Sequence, residues 1–556
     1  MKRLLVPFAA ALSPAFILIL GTQTTHANSA TWKTSPATGD WNHAANWTPP
    51  TVPNGPSDTA TFAASNTTDV SLSANTEVNG IVFNAGASPF TITVSGVSNY
   101  LFLTISGVGI TNNSGIAQNF ATTTVSQNVS EEIVFTNSAT AGSGTFFTNT
   151  GGVVLFHDSS NAGNGTFINN DARVMVNGYT FIFLGAVDFL NTSTAGNGTF
   201  INNGGGNTFY GRASAGNGTF INNGSDGSST GGFTDFVGHS SAGNGIFILN
   251  DSAVSGHAGG AIVFEGNSTA DAATIIANDG LGGEGGAILF LDDARGGESR
   301  VAVFGKGTLY IASNELSSGV KIGSLEGDGH VLLGGRNLTV GSNHLDTCFS
   351  GVIQDGPFGD TGGSLTKIGS GKLVLRHRST YPGGTVIERG KLMVNNEGGS
   401  ATGSGPVQVD GGRLGGKGII AGQVTVGTGN GPGATLSPGY VHGVGSPGAL
   451  TIQSALRFNS DATYDVDVNS SVATADEVIA AGVTINSGAK FSFSDIGSGT
   501  LTLGTVFTVI NNIEATPITG TFSNLPDGST FTANGNTYQV SYEGGDGNDL
   551  TLTVIP

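Results

Sequence analysis

Six copies of one short phrase fix most of what this chain can fold into. Ala-Gly-x-Gly-Thr-Phe occupies residues 141–146, 162–167, 195–200 and 215–220, and degenerate copies begin at Ala242 and Ala270. Six residues before each of those alanines stands a phenylalanine: Phe135, Phe156, Phe189, Phe209, Phe236 and Phe264. Eight residues after each stands an asparagine: Asn149, Asn170, Asn203, Asn223, Asn250 and Asn278. The copies begin 21, 33, 20, 27 and 28 residues apart, so the internal spacing is fixed while the interval varies. That combination describes a solenoid whose rungs align while some loops bulge. Short β runs with Gly and Asn turns predict an all-β fold, a parallel β-helix with rungs about 4.8 Å apart. At roughly 23 residues per rung, the mature chain makes about twenty rungs in a rod on the order of 100 Å long.

Side chains that recur at one apolar rung position face inward, so the repeated phenylalanines are expected as core stacks. The asparagines are expected as a ladder at one turn, where stacked amides hydrogen-bond along the axis. We read that ladder as structural rather than as a row for sugars or ions.

Composition agrees with this architecture. Glycine supplies 91 of 556 residues and only 11% of residues are charged. Glycine costs about 1 kcal/mol against alanine at a helix interior position, which excludes long helices. The glycines follow no three-residue period, which excludes collagen. A 38% hydrophobic content with 32 Phe is enough to build a core, which argues against disorder.

The first residues read as an export signal. Lys2 and Arg3 precede an apolar stretch over residues 4–20, and Thr25-His26-Ala27 offers small residues for cleavage after Ala27. The alternative, a membrane anchor, is disfavoured by the short core, by Pro14 and by the absence of following positive charges. Cys348 is the only cysteine, which leaves no internal disulfide. The net charge of −19 argues against nucleic acid as a partner. The expected location is the cell surface or the medium. All three tryptophans, Trp32, Trp41 and Trp47, bunch at the start of the mature chain. They are expected to cap the open end of the solenoid; the alternative is a carbohydrate-binding platform of exposed aromatic faces.

Beyond Gly351 the style changes, and residues 363–396 read GSLTKIGSGKLVLRHRSTYPGGTVIERGKLMVNN. Strands are expected over 365–368, 373–375, 385–387 and 392–394, with a Gly turn at 369–371 and a Tyr-Pro-Gly-Gly turn at 381–384. This segment closely resembles the autotransporter-associated β-strand repeat of bacterial surface-protein passengers. Leu365, Lys367, Gly369, Gly371, Leu373, Leu375, Tyr381, Gly383, Gly384, Thr385, Gly390 and Leu392 carry the match. Residues 403–426, 433–439 and 447–469, the Trp-rich start and the ending at 542–554 are similar more loosely. The resemblance implies a right-handed β-helix passenger displayed or released outside the cell, with the repeat assisting export and folding. A passenger's C-terminal translocator barrel, about 250 residues of alternating strands, is not found before Pro556. Self-translocation and tethering are therefore not carried over. The expected organisation is a signal peptide (1–27), a Trp-rich cap (28–70), a β-helix repeat region (71–345), the β-strand-repeat region (346–430) and a C-terminal solenoid or capping region (431–556).

Several motifs resemble chemistry. Residues 280–285 spell GxGxxG but lead into a strand, whereas a dinucleotide needs a following helix N-terminus. Residues 227–231 spell a nucleophile elbow inside a loop. The ending GGDGND, with Asp546 and Asp549 as weak calcium candidates, is one copy of a motif that shares ligands between copies; a hairpin turn is the preferred reading. Asp292, Asp293, Arg295 and Glu298 form the densest charge cluster of the repeat region and could project from adjacent turns. They would be the catalytic set if this were a polysaccharide lyase or hydrolase; the competing reading is a solvated loop. No cofactor or firm metal site is expected. The preferred function is a non-catalytic structural or adhesive surface protein, with extracellular polysaccharide or cell-surface components as partners. The alternatives are the polysaccharide enzyme and a carbohydrate-binding module at the Trp-rich end.

Overall fold

The computed structural model describes residues 28–96, 100–124, 131–176, 179–227, 230–280, 282–311, 319–356, 360–439 and 447–556. The expected signal segment lies outside them. The repeating unit is a four-residue strand in which alternate side chains point inward, as in Val153–Phe156, Ala186–Phe189 and Ala261–Phe264. Strands of this kind stack in parallel register, rung upon rung, and form a parallel β-helix.

Its first sheet has fifteen strands, from the Trp47–Thr48 and Ala30–Trp32 pair to Val352–Gln354, a length of about 70 Å at strand spacing. Its second sheet runs in parallel pairs from Asp69–Ser71 through Thr199–Asn203 and Lys391–Val394 to Lys490–Asp495. The third side changes along the rod. In the repeat region it is one residue wide, a line of single bridges joining Thr140, Asn161, Thr194, Ser214, Ser241, Thr269 and Arg295. From Val320–Ile322 onward it becomes a full eight-stranded parallel sheet that ends at Val483–Ile485. A seven-stranded sheet closes the C-terminal end with antiparallel strands Val506–Asn512, Asp549–Ile555, Asn536–Gly544 and Thr530–Ala533.

The Ala-Gly step of the repeat is explained by the corner it makes. Gly163, Gly196, Gly216 and Gly243 lie at φ of +59, +60, +59 and +56°, the left-handed region that glycine enters without steric cost. A Cβ at Gly243 would also stand 2.7 Å from the carbonyl oxygen of Gly216 in the rung below. The hydroxyls of Thr194, Ser214 and Ser241 accept the N–H groups of the three later glycines at 3.1, 3.1 and 2.9 Å.

Phe135, Phe156, Phe189, Phe209, Phe236 and Phe264 stack face to face inside the first sheet with centroids 4.6–5.0 Å apart, and Phe290 extends the column at 4.8 Å. A second column, Phe120, Phe147, Phe167, Phe200, Phe220 and Phe247, lines the second sheet. The two meet edge to face, as at Phe209 and Phe220 (5.8 Å, 74°). Offset and T-shaped contacts of this kind satisfy the ring quadrupole.

The first copy departs from the expected register. A bulge between Ser143 and Phe146 shifts the pairing by one residue. Phe146, the phenylalanine of the phrase, is therefore 38% exposed, and Phe147 takes its place in the column. The same shift moves Asn149 out of the ladder in which the sequence placed it, because a one-residue slip turns every later side chain of the strand to the other face. Two ladders result. Inside, Asn149, Asn169, Asn202 and Asn222 are linked amide to amide at 2.8, 2.8 and 2.6 Å. Outside, Asn170, Asn203, Asn223, Asn250 and Asn278 are linked at 3.1, 2.7, 2.7 and 3.0 Å.

At the N-terminal end Trp32, Trp41 and Trp47 are buried. They pack edge on at 5.0 and 5.1 Å and rest on Phe62, which begins the aromatic interior. Their indole N–H groups donate to the carbonyl oxygens of Thr67, Pro53 and Trp41. No aromatic face remains there to serve as a sugar platform.

Candidate functional site

From Phe156 to Phe290 the spacing from each Phe to the next outer-ladder Asn is constant, so variation in rung length there falls between that Asn and the following Phe. In space this is one corner, where the second sheet hands the chain to the first. Between Thr199–Asn203 and Gly206–Phe209 two residues suffice. Elsewhere the corner carries the hairpin of Asn164–Val176 with Tyr179–Leu184, or excursions that include 224–227, 250–260 and 282–286. These excursions stack on one another: Ser225 N–H donates to Ala258, Ser252 N–H to Glu284 and Gly283 N–H to Ser252. They make a ridge along one edge of the first sheet.

The outer surface of that sheet bears a row in register: Leu155, Asp188, Thr208, Asp235, Val263 and Leu289. Asp188 and Asp235 are partly buried and stand two strands apart, about 10 Å. Burial pushes both carboxyls up to about 7, with the Thr208 hydrogen bond opposing the rise at Asp188 and the Glu265 charge adding to it at Asp235. Tyr210 lies within the field of both. A carboxyl that titrates near neutrality can donate or accept a proton there. Neither aspartate stood out in the sequence. The signal was present, since each immediately precedes a column phenylalanine, Phe189 and Phe236, and only alignment by rung makes neighbours of residues 47 positions apart.

The four charged residues singled out from the sequence do not come together. They follow one another around a single rung instead of projecting from adjacent turns. Asp292 sits at the turn after the first sheet with φ +54°, where Asn137, Asp158, Asn191, Gly211, Gly238 and Gly266 occupy the same left-handed position in other rungs. Its Oδ2 accepts the N–H of Gly266 at 3.3 Å. Asp293 follows it and, with Asp292, acts electrostatically on Arg336. Arg295 takes the bridge position next to Thr269. Glu298 lies at the following corner and lines the same cavity as Lys321. A residue required by the turn and residues facing different sides of the rod cannot converge on one bond.

At the C-terminus Gly544 pairs with Asp549 at the base of the expected hairpin. Asp549 is buried and its carboxylate accepts the N–H of Asn512 at 2.9 Å, which commits it to the fold. Asp546 is exposed in the turn. Among the described residues no group of three or more His, Cys, Asp or Glu side chains is placed to hold a metal ion.

No protein-family model matches the chain, and no curated protein matches it. Among solved structures the chain is similar to the crystal structure of the Haemophilus influenzae Hap adhesin, at 11% identity and a TM-score of 0.30, over 90% of this chain and 59% of that one. The chain thus spans about three fifths of that protein's length. The resemblance to the autotransporter-associated repeat rests on the residues between Gly363 and Asn396, which build two successive rungs from strands Ser364–Lys367, Lys372–Leu375, Thr385–Ile387 and Lys391–Val394.

Proposed function

We propose that this chain is an exported, non-catalytic β-helix protein that acts at or beyond the cell surface as a structural or adhesive rod. The asymmetry of the rung carries the reading. Two of its corners repeat with fixed geometry, while the third accepts insertions of different length and stacks them into a ridge. Insertions gathered on one edge of a solenoid are the usual way such a scaffold presents a recognition surface. A rigid, continuously packed core suits display at a distance from the cell. The test is retention of purified protein on a panel of immobilised cell-surface and extracellular polysaccharides. A variant whose excursions at 251–259 and 279–285 are each cut to two residues should lose retention while keeping its melting temperature within a few degrees. Equal retention by both proteins would overturn the reading.

A second reading is favoured by one observation, the pair Asp188 and Asp235. Inverting glycosidases place their acid and base about 6.5–9.5 Å apart to admit a water, close to the two-strand separation here. In this reading Asp235 protonates the leaving oxygen and Asp188 activates the water. Release of reducing ends from any polysaccharide, abolished by Asp235→Asn, would establish it over the adhesive reading.

A further inference from the structure

We propose that the corner between the third and second sheets is a binding groove for a polyuronate, a glycan bearing one carboxylate on each sugar. This rests on the surface-binding reading and names the partner chemistry for a site away from the ridge.

The groove has a volume of about 900 Å³ and crosses successive rungs from Lys321 to Thr435. It gathers Lys321, Arg389, Lys391 and Arg413 from a chain that has only 20 lysines and arginines and a net charge of −19. Glu298 and Glu388 also line it, so its fixed charge is positive against an acidic molecule. A polyanion is repelled by most of this surface and attracted here, and charge complementarity of that kind determines where it docks.

The cations differ in how they are paired. Lys372, Lys391 and Arg413 occupy one outward row on three adjacent strands. Like charges directly opposite one another destabilise a sheet. Lys372 is relieved by Asp346 at 3.8 Å and Arg413 by Asp465 at 2.6 Å. Lys391, between them, has no carboxylate within 4.0 Å among the described residues. Arg389 and Lys321 likewise have none. An anion that spans Lys391 and Arg389 would supply the missing partner.

The floor is suited to close approach. Gly369, Gly390, Gly412 and Gly433 stack along it at φ of +67, +74, +75 and +95°. A Cβ at Gly390 would stand 2.3 Å from the carbonyl oxygen of Gly369, so these positions present bare backbone. Lys367 lies 1% exposed beneath them, and its ammonium donates to the carbonyl oxygens of Ile368 and Gly369. That buried cation adds to the potential above the floor. Ser370 and Thr435 bring hydroxyl side chains to the same length, while the Ser342 hydroxyl is engaged by the Gly297 and Ile322 carbonyl oxygens, and hydroxyls suit a sugar partner.

The test uses the purified mature chain and polygalacturonate, with dextran and polyglutamate as comparison polymers, followed by calorimetry at two salt concentrations. We expect polygalacturonate to bind, to weaken with salt, and to lose about tenfold or more in affinity in the Arg389→Gln/Lys391→Gln double variant, through the loss of charge-assisted hydrogen bonds. Lys490→Gln, on the same outward row beyond the groove, should bind as the parent does. A double variant with unchanged affinity, no binding by the parent, or equal binding of polyglutamate would overturn the proposal. Retention on cell-surface polysaccharide that survives the double variant would overturn the groove alone and leave the adhesive reading standing, whereas loss of retention only on trimming the ridge excursions would assign adhesion to the ridge.

Discussion

The rod is built in two manners, and the change comes where the third side widens. Between Phe135 and Phe290 rungs are held by identity, with ring on ring and amide on amide, while the third side is one bridge wide. From Val320 to Ile485 the interior is mainly aliphatic, with Leu365, Ile387, Val409 and Val426 on successive strands of a full third sheet, and its buried rings are Phe349, Tyr381, Phe458 and Tyr464 among the described residues. Identity requires the same residue at the same position in every copy, and it leaves a visible period. Shape requires only complementary volumes, which many residues supply, and the period fades. The cationic row lies in the second region, as the outward row of Asp188 and Asp235 lies in the first.

The sharpest way to break this comparison is to remove one member of a column. Phe209→Ala should cost about 4 kcal/mol, because it leaves a cavity and severs a stack. Leu392→Ala in the aliphatic region should cost about 3 kcal/mol. Denaturant unfolding of each variant gives the two values, and equal costs would mean that stacking adds nothing beyond burial. Next in size is the inner ladder. Asn202→Ala takes one hydrogen bond each from the buried amides of Asn169, Asn207 and Asn222 and should cost about 2 kcal/mol by the same measurement.

Acidity reads buried groups in both regions, since burial also pushes Asp476 of the second region up to about 7. The carboxyls of Asp188 and Asp235 titrate higher in the folded chain than at their ordinary value of 3.8, so the native state holds more protons than the unfolded one between about 4 and 7. Stability should therefore fall as pH rises through that window, and Asp188→Asn/Asp235→Asn should flatten the fall. Burial pushes the Lys367 ammonium down to about 8 from 10.5. There the unfolded state binds more protons, so stability should rise from pH 8 towards 10.5, and Lys367→Met should remove the rise. Melting temperature against pH checks both. The smallest effect is expected at the outer ladder, where Asn203→Ala should change stability by no more than about 0.5 kcal/mol, because water replaces the lost amide.

The first manner of building was legible almost throughout, the second only in its strands. The first-sheet phenylalanines could be read from spacing, since they stand inward in all six copies, while the second column departs from the phrase at Phe146. The ladder asparagines could be read almost as well, and the error at Asn149 has a clear origin. Three copies carry an Asn-Asn pair, at 169–170, 202–203 and 222–223, so an offset counted across the bulge lands on an asparagine of the wrong face. The strands of the β-strand-repeat region were legible from its glycine turns. Asp188, Asp235 and the groove cations were not, because their proximity depends on rung register and they recur in no fixed phrase. Asp292 misled for the opposite reason: a carboxylate beside another in sequence looked like chemistry, and its left-handed turn explains its presence.

The corner that absorbs the excursions also uncouples length from register. The rung that carries the hairpin and the rung that crosses in two residues place their phenylalanines in the same column, 4.6 Å apart. Chain can thus be added at one address without disturbing any other, in the way a bookshelf takes volumes of different depth against one straight back.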